Sequence, residues 1–467
     1  MQQLPRHAQY KESGLPWIGE IPAHWQTRRN RFLFREVDRR SKHGEETHLS
    51  MSQVHGLVPS KDLGRKSLQS ENYAGGKLVA EHDLVLNRLK AHLGVFARAK
   101  QAGVVSPDYT VFRPKGDASV RYCESLFKTP MYVGEFRRRT KGIVEGFWRL
   151  YTDDFYNVTA LLPPPEEQVQ IVAYLRAQDA HIARFIKTKR DLIKLLTEQK
   201  LRIIDHAITR GLDASVALKP SGIEWLGEMP EHWDASRLKY CVSRIHAGGT
   251  PDTGVDGYWS DGSDGIPWLL IADVTRADRV VNSTKRLTQA GLESKRLAVV
   301  PAGAVLYTMY ASIGKAAILE IDSAINQAIL GLEPKSNLLE AEFLFFWLRS
   351  LERHIKNLAS TSTQANLNAA KVKALPMFLP PVEEQKLICD WIKSECRIFD
   401  DAIARTEEEI KLIREYRDLL IADVVTGQVD VRSWQPGPDD VVDDAALAAL
   451  GDENEDVTEE EDGDGED

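Results

Sequence analysis

The chain has 467 residues, which is long enough for two or more domains with hydrophobic cores of their own. Its composition, 43% hydrophobic and 28% charged residues, is that of an ordinary globular protein, and no run of eighteen apolar residues predicts a membrane span. The polar N-terminus lacks the pattern of a signal peptide, so we expect a cytoplasmic protein.

Cysteines and histidines offer no recognisable ligand pattern. The four cysteines (Cys123, Cys241, Cys389 and Cys396) form no CxxC pair, and we expect reduced thiols with neither a disulfide framework nor a zinc site. His43, His48 and His55 come closest to a histidine cluster but lack metal-ligand spacing, so no metal site is predicted.

The net charge of −9 hides a division of charge along the chain. Asp439–Asp467 contains fifteen acidic residues and no Lys or Arg. Without it, 60 basic residues face 54 acidic ones, so Met1–Pro438 carries +6. The composition predicts a disordered acidic tail over residues 433–467. A solubilising role is the favoured interpretation, and a tail that mimics nucleic acid is the alternative.

The first domain opens with SGLPWIGEIPAHW (Ser13–Trp25), which returns as SGIEWLGEMPEHW (Ser221–Trp233) at an offset of 208. We call these stretches the first and second tryptophan motifs. Paired tryptophans with Gly and Pro predict a compact, packed segment, which is favoured here over a ligand-binding aromatic site.

A second echo lies deeper in each domain. Asp83–Ala99 matches Gly303–Leu319 at an offset of 220, with Gly94 opposite Gly314. Both stretches alternate apolar and polar residues, which predicts strands joined by turns. The change in offset indicates that the second domain has a longer loop, most simply within Gly248–Trp268.

A third repeat follows each domain. LPPPEEQVQIVAYL (Leu162–Leu175) returns as LPPVEEQKLICDWI (Leu379–Ile392) at an offset of 217, and each predicts a long amphipathic helix. The prolines end the preceding element, and the paired glutamates suit a helix N-terminus. We expect the two helices to pack on each other along one apolar seam, made of Leu175, Ile182, Ile186, Ile193, Leu196 and Ile203 in the first helix and Ile392, Phe399, Ile403, Ile410, Ile413 and Leu420 in the second.

The repeats predict an α+β chain of duplicated mixed α/β domains and long helices. The expected order is a first domain (1–161), a helix (162–215), a second domain (216–378), a second helix (379–432) and the tail (433–467). A pseudo-two-fold relation between the copies would make the helices antiparallel.

These motifs, in this order, resemble the specificity subunit of type I restriction–modification enzymes. The matching stretches are both tryptophan motifs, GGTP…GYW…IPWL (Gly248–Leu269), AINQAI (Ala324–Ile329), TSTQANLN (Thr361–Asn368) and both LPP-x-EEQ helix starts. The resemblance covers about Lys11 to Arg432.

The resemblance implies a DNA-reading protein without catalytic chemistry of its own. Each of two target-recognition domains would read half of a split sequence in double-stranded DNA, and two antiparallel coiled-coil helices would separate them. The implied partners are two methyltransferase (modification) subunits and the motor-nuclease (restriction) subunits. No cofactor is expected in this chain, since S-adenosylmethionine, ATP and Mg would belong to the partners.

Candidate DNA contacts follow from residue chemistry. Basic side chains suit phosphates, while Arg, Asn and Gln can bond base edges. The candidates in the first domain are Arg88, Lys90, Ser106, Tyr109, Arg137, Arg138, Arg139, Lys141 and Arg149. Those in the second are Thr308, Tyr310, Lys315, Asn326 and Gln327, and the resembling motifs add Thr250, Tyr258, Gln364 and Asn366. Two structural alternatives stay open: a solvated face for the arginine cluster and an internal amide network for Asn326 and Gln327.

Three other functions have less support in the sequence. A self-sufficient nuclease would use Pro107-Asp108 with an E-x-K, but Glu198–Lys200 and Glu409–Lys411 both lie in predicted helices. A self-sufficient adenine methyltransferase would need an [N/D]-P-P-[Y/F] pocket, which the sequence lacks. A coiled-coil adaptor that binds only protein would explain the helices but not the duplicated domains.

Overall fold

A computed structural model describes residues 4–52, 56–63, 73–142, 148–223, 226–262, 264–310, 312–352, 355 and 367–440. The chain divides into two compact units. Unit 1 comprises Met1–Asp191 and Thr406–Asp467, and unit 2 comprises Leu192–Arg405. Each unit therefore contains one predicted domain together with parts of both long helices, whereas the sequence-based boundaries kept the helices separate.

Unit 1 contains twelve described strands, four short helices and the first part of a long helix. The strands are β1 (Tyr10–Glu12), β2 (Glu20–Pro22), β3 (Gln26–Arg29), β4 (Phe34–Glu36), β5 (Leu49–Ser52), β6 (Gly56–Pro59), β7 (Lys77–Val79), β8 (Leu84–Asn87), β9 (Phe96–Arg98), β10 (Gly103–Val105), β11 (Tyr109–Pro114) and β12 (Thr159–Leu162). The helices are α1 (Asn30–Leu33), α2 (Val120–Phe127), α3 (Pro130–Arg139), α4 (Thr152–Asn157) and the start of α5 (Pro165–Arg210), with 3-10 turns at Ser60–Leu63 and Ala91–Leu93.

Unit 2 repeats this arrangement with its own twelve described strands. They are β13 (Leu218–Pro220), β14 (Glu228–Pro230), β15 (Asp234–Arg237), β16 (Val242–Ala247), β17 (Ile266–Leu269), β18 (Arg279–Val280), β19 (Lys285–Leu287), β20 (Val305–Thr308), β21 (Ala316–Leu319), β22 (Ala324–Ile325), β23 (Ile329–Pro334) and β24 (Pro376–Leu379). Its helices are α6 (Leu238–Cys241), α7 (Ile271–Arg276), α8 (Gln289–Ser294), α9 (Ala341–Ser350), α10 (Ala369–Lys373) and the start of α11 (Val382–Val425), with a 3-10 turn at Asp256–Tyr258.

The strand topology confirms the predicted duplication. The main sheet of unit 1 has the order β4-β11-β8-β9, and that of unit 2 has the order β16-β23-β20-β21-β18. In each unit an antiparallel pair also joins the strand after the tryptophan motif to the strand before the long helix, β3 with β12 and β15 with β24. The echo at Asp83–Ala99 and Gly303–Leu319 forms an antiparallel strand pair within each main sheet, as predicted.

The two units differ mainly in the structure beside the main sheet. In unit 1, β10 pairs antiparallel with β7. In unit 2, β22 pairs parallel with β17, which also pairs with β19. The sequence predicts the longer loop within Gly248–Trp268, a stretch that includes most of β17. The additional residues of unit 2 therefore contribute to the sheet formed by β19, β17 and β22.

Both long helices begin and end close to the predicted positions. Helix α5 spans Pro165–Arg210 and α11 spans Val382–Val425. In unit 1, Asp179 pairs with Arg417 and Lys189 with Glu409, so the two helices run antiparallel there. In unit 2, the same two helices are joined by an ion pair between Lys200 and Asp400.

The residues predicted to form the helix seam are buried or half-buried. Leu175, Ile182, Ile392, Ile410 and Leu420 are buried. The others are half-buried, namely Ile186, Ile193, Leu196, Ile203, Phe399, Ile403 and Ile413. This pattern is that of an amphipathic helix pair whose apolar sides face protein rather than solvent.

Each unit has one main hydrophobic core that includes both long helices. In unit 1 the core combines aromatic residues such as Phe112 and Phe155 with Ile171 of α5 and Val424 of α11. In unit 2 it includes Trp347, Ile204 of α5 and Ile392 of α11. All four cysteines are buried and unpaired. Burial raises the pKa of the Cys123 and Cys389 thiols to about 12, so these two stay protonated at neutral pH.

The segment after α11 packs along α5 within unit 1. Trp434 contacts the Tyr174 ring edge-on, Gln170 Nε2 donates to the Trp434 carbonyl oxygen (2.6 Å), and His181 pairs with Asp440. The packed stretch thus runs past residue 433, from which the sequence predicted disorder, because Trp434 supplies an apolar anchor. Residues 441–467, the rest of the predicted tail, lie outside the described part of the chain.

A buried glutamine fastens the start of each long helix to its domain. Gln168 Oε1 accepts the backbone N–H of Ser119 (2.8 Å), and its Nε2 donates to the Pro163 carbonyl (2.9 Å). Gln385 repeats both bonds with the Glu340 N–H and the Pro380 carbonyl, each at 2.9 Å. The Gln of each LPP-x-EEQ repeat therefore satisfies backbone groups that would otherwise be buried without a partner.

Replacing Gln168 with Ala is expected to destabilise unit 1. The change leaves the Ser119 N–H and the Pro163 carbonyl unsatisfied, at roughly 1–3 kcal/mol for each buried group. Urea unfolding followed by tryptophan fluorescence measures the loss. Gln199→Ala, at an exposed position of α5, is the matched control and should lie within about 0.5 kcal/mol of wild type. Equal stability of the two variants would contradict the proposed fastening.

Candidate functional site

Three segments of unit 1 meet at one group of loops. The turn between β8 and β9 contains Arg88 and Lys90, and its 3-10 helix packs against α3. The Leu150 N–H donates to the Arg88 carbonyl (3.1 Å), which brings in the segment after residue 148. Lys141 and Arg149 face each other across an antiparallel bridge. The structure therefore places most of the basic candidates of unit 1 on neighbouring loops.

Several of these basic groups already have acidic partners. Arg138 and Arg139 both bind Glu135, a buried residue on the same helix. Lys141 Nζ lies 2.8 Å from Asp154 Oδ2, and Arg88 Nε donates to the Asp108 carbonyl (2.7 Å). Arg137 lies over the Trp148 ring, 5.9 Å from its centroid, while Lys90 is exposed. The group is therefore less positive than its sequence suggests.

The remaining two candidates of unit 1 serve the local structure. Ser106 accepts the Asp108 N–H through its hydroxyl (3.3 Å) and the Tyr109 N–H through its carbonyl (3.1 Å), so it shapes the turn before β11. Tyr109 packs against a hydrophobic cluster that includes Val111. Burial raises the pKa of Tyr109, which keeps its hydroxyl protonated.

In unit 2 the motifs GGTP, GYW and AINQAI come together in space. The Gly249 N–H donates to the Ile325 carbonyl (2.9 Å), and Trp268 Nε1 donates to the Gly249 carbonyl (3.1 Å). Thr250 and Gln327 bond through their side chains. Trp259, which follows Tyr258, packs edge-on against Trp268 with ring centroids 5.1 Å apart. Residues separated by about seventy positions thus share one loop surface.

Gly248 can hold this position only because it lacks a side chain. An added Cβ would lie 2.0 Å from the Asn326 carbonyl oxygen and 2.3 Å from that of Ile325. Both neighbours are backbone atoms, which cannot rotate out of the way. The first glycine of GGTP is therefore required for close contact with AINQAI.

The other candidates of unit 2 surround this contact in different environments. Asn326 is buried and its Oδ1 accepts the Ala328 N–H (2.9 Å), which fits the internal amide network. Thr308 is buried and bonds within its own turn, whereas Tyr310 is exposed. Lys315 pairs with Glu352 at 2.9 Å. The Met309 N–H donates to the Ala328 carbonyl (2.8 Å), so the two turns are adjacent. Gln364 and Asn366 lie outside the described residues.

Two lysines at this surface are not suggested by the sequence pattern. Lys285 Nζ lies 5.8 Å from the centroid of the Trp259 ring. Lys295 lies beside Gly249, since a Cβ built on that glycine would be 3.8 Å from the lysine Cβ. Both lysines are exposed. Only the fold brings these two lysines to the GGTP loop, so their spacing in the sequence could not have shown that they lie beside it.

The chemical groups on these loops are hydrogen-bond donors, acceptors and cations. The two E-x-K stretches of the nuclease alternative lie within α5 and α11, as predicted. There Lys200 pairs with Asp400, and Glu409 pairs with Lys189. Among the described residues, no helix is both long and apolar enough to cross a membrane.

Comparison with known proteins finds similarity to one class of protein. The family model described as the type I restriction modification DNA specificity domain matches residues 230–412. The chain is 26% identical over 194 residues to the type I restriction enzyme MjaIX specificity subunit of Methanocaldococcus jannaschii, which is 41% of this chain and 43% of that protein. It is 25% identical over 247 residues to the HindI specificity subunit of Haemophilus influenzae, 52% of each chain. The chain thus spans about half the length of these curated relatives.

A solved structure shares the fold over a wider range. A chain from a structural study of type I R-M complex assembly and conformational transition aligns with a TM-score of 0.59 and 16% identity, covering 88% of this chain and 99% of that one. The residues that match the family model lie almost entirely in unit 2, and unit 1 repeats the strand topology of that unit. Over part of its length, the chain is therefore similar to type I restriction enzyme specificity subunits.

Gly248→Ala is expected to disrupt the contact between the GGTP loop and AINQAI. A side chain that is forced against its neighbours typically lowers the free energy of unfolding by about 1–3 kcal/mol, and we expect a loss of this size in unit 2. Gly257→Ala is the matched control in the same loop, because a Cβ there meets nothing within 4 Å. Chemical unfolding of both variants gives the comparison. A Gly248→Ala protein as stable as Gly257→Ala would show that the close contact is absent in solution.

Proposed function

We propose that this chain is the DNA-reading subunit of a type I restriction–modification complex, with each of its two domains reading one half of a split target. The observation that carries this proposal is a repeated framework with different side chains on its loops. The turn between β8 and β9 offers Arg88 and Lys90, while the equivalent turn between β20 and β21 offers Tyr310 and Lys315. Two domains that bind different DNA sequences need a shared framework with different side chains on the loops.

The first domain would hold DNA mainly through its charged loops. Lys90, Arg137 and Arg138 are exposed, and Arg149 lies on the neighbouring segment. An arginine that binds one carboxylate retains further N–H donors for a phosphate oxygen. Basic loops of this kind supply affinity and orientation rather than sequence choice.

The second domain would read bases mainly through neutral polar groups. Gln327 and Thr250 are bonded to each other at the GGTP contact, and exposed Tyr310 lies on the adjacent turn. An amide can bond an adenine edge at two points. Lys285 and Lys295 would supply the phosphate contacts on this side.

The long helices would bind two copies of one partner. Leu195 and Leu412 occupy equivalent positions, 217 residues apart, and are 59% and 54% exposed. Single exposed apolar side chains are common on protein surfaces, so the support here comes from their repetition at equivalent positions of the two helices. The partners we propose are two methyltransferase subunits, which use S-adenosylmethionine, together with motor-nuclease subunits that use ATP and Mg.

In this proposal the chain itself performs no reaction. A self-sufficient nuclease or a purely protein-binding adaptor would give different results in one experiment. The purified chain, alone and with a cognate methyltransferase subunit, is assayed for cleavage, for adenine methylation and for sequence-specific binding. Cleavage by the chain alone would support the nuclease, and complex formation without any DNA specificity would support the adaptor.

Lys90→Ala is expected to weaken DNA binding equally for specific and random sequences. Loss of one phosphate contact should lower the slope of log K against log salt by about 1. Lys100→Ala is the control, because Lys100 is exposed at the opposite end of the β8–β9 hairpin. Fluorescence anisotropy over a salt series measures both variants. An unchanged slope for Lys90→Ala would exclude this phosphate contact.

Exchanging residues 30–157 for the equivalent segment of a specificity subunit with another target should change one half of the recognised sequence. The exchange keeps the first tryptophan motif and the β3–β12 pair, so the junction stays native. Residues 238–375, bounded by β15 and β24, provide the matching exchange in unit 2. Sequencing methylated adenines in cells that express each hybrid gives both targets. If either exchange altered both halves, reading would be shared between the domains.

A further inference from the structure

A buried histidine near the N-terminus has no role in the proposed reading of DNA. His7 is 5% exposed, and neither of its ring nitrogens has a hydrogen-bond partner among the described residues. An imidazole hidden from water should have at least one partner, because an unsatisfied buried polar group is unfavourable. Such a group indicates that something else binds there.

Both ring nitrogens of His7 face carboxylates at distances longer than a hydrogen bond. Nε2 lies 3.8 Å from Glu167 Oε1, and Nδ1 lies 3.6 Å from Asp430 Oδ2. Glu167 is itself 5% exposed, and its other oxygen lies 2.7 Å from His24 Nε2. His7, His24 and Glu167 place one ligand atom each within 4.8 Å of one another.

From this arrangement we infer that His7, His24 and Glu167 bind one divalent transition metal ion such as Zn²⁺. Two imidazoles and one carboxylate are ligands that this class of metal prefers. Ligands about 2.1 Å from a common ion lie no more than about 4.2 Å apart, so small rotations of His7 and His24 suffice. The ion replaces the hydrogen bond between His24 and Glu167, and the neutral His24 imidazole then carries its one ring proton on Nδ1 instead of Nε2.

The surrounding groups have the arrangement of an outer shell around a metal site. Asp430 faces the Nδ1 of His7, leaving Nε2 for the metal, and Trp25 Nε1 donates to Glu167 Oε1 (3.0 Å). Carboxylates and N–H donors in these positions orient metal ligands. Asp430 is held in turn by Arg432, at 2.9 Å and 2.6 Å. The His24 side chain is 36% exposed, which gives the ion a route of access and room for water as a further ligand.

The second copy of the domain provides a natural comparison. There His232 Nε2 lies 2.8 Å from Glu384 Oε2, and Trp233 Nε1 donates to Glu384 Oε1 (3.1 Å). The position equivalent to His7, at the offset of 208, is Ser215, whose hydroxyl binds Asp213. Among the residues that the structure describes, unit 2 keeps the His–Trp–Glu contact and has Ser215 in place of the third ligand, so we assign the metal to unit 1.

The ion would connect segments of unit 1 that are distant in the sequence. His7 precedes β1, His24 belongs to the first tryptophan motif, and Glu167 is in the first turn of α5. Asp430, which follows α11, is tied to the site through His7. The site is therefore structural: it fastens the segment around His7 to the start of the first long helix, and Asp430 supports it through His7.

The experiment titrates Co²⁺, and then Zn²⁺ in competition, into the tag-free full chain after treatment with a chelator. Wild type should take up one ion per chain, with the visible absorption of histidine-bound cobalt that zinc then abolishes. His7→Ser, which copies Ser215, and His24→Gln should each bind at least roughly tenfold more weakly, since even outer-shell changes weaken metal sites by 10–100-fold. His232→Gln, at the equivalent position of unit 2, should bind like wild type.

Thermal unfolding separates loss of the metal site from loss of the fold. Zn²⁺ should raise the Tm of wild type and of His232→Gln, but not that of His7→Ser or His24→Gln. Because His24 is partly exposed, His24→Gln tests the site even if His7→Ser fails to fold. The inference is overturned if folded wild type binds no ion stoichiometrically, or if His24→Gln binds as tightly as wild type. Neither result would affect the proposed reading of DNA.

Discussion

The structure depends on one carboxylate in each unit, at the point where a long helix begins. Glu167 accepts bonds from His24 and Trp25, and Glu384 accepts the same pair from His232 and Trp233. Each glutamate lies in the first turn of its helix, where the positive end of the helix dipole favours negative charge. Bonds to a carboxylate with little solvent access are stronger than neutral ones, and their loss would leave a charge without compensation.

The same tryptophan also receives the end of the other long helix. A Cβ on Gly427, just beyond α11, would lie 3.1 Å from the Trp25 ring and 2.4 Å from Pro22. A Cβ on Gly211, just beyond α5, would lie 3.2 Å from the Trp233 ring. Both glycines have positive φ, +78° and +73°, the conformation that ends a helix. Each tryptophan motif therefore holds the first turn of one helix and the last turn of the other, which requires the helices to run antiparallel within the unit.

The framework could be predicted from the sequence because every part of it occurs twice. The tryptophan motifs, the hairpins of the main sheets and the LPP-x-EEQ helices recur at nearly constant offsets. Within the repeats, alternation of apolar and polar residues predicts the strands, and a helical spacing of apolar residues predicts the long helices. What each repeated residue does could not be predicted, because Glu167 and its partner Trp25 are far apart in sequence. Knowledge of the repeat does not reveal which two parts of the repeat meet.

The loops were less predictable because their contacts depend on strand register. Tyr109 seemed available to DNA, but strand β11 turns it towards a hydrophobic cluster. Asn326 resembles a base reader in sequence, yet its Oδ1 bonds the backbone of its own turn. Lys295 reaches Gly249 only through the sheet of β19, β17 and β22 that unit 2 adds to the shared framework. Residue chemistry alone therefore could not rank the candidates, because their environments depend on contacts that form only in the folded chain.

The acidic partners of the candidate cations change what those cations can contribute. Glu135 is buried and binds Arg138 and Arg139, so the pair together with this glutamate carries a net charge of +1 rather than +2. Desolvation of an unpaired arginine costs more free energy than desolvation of an arginine whose N–H donors are already partly satisfied. A guanidinium held by a fixed carboxylate also loses less conformational freedom when it meets a phosphate. The internal ion pairs therefore weaken the electrostatic attraction of this surface for a phosphate, but they orient the remaining N–H donors. Phosphate binding at this surface would then depend more on the geometry of these donors than on the net charge.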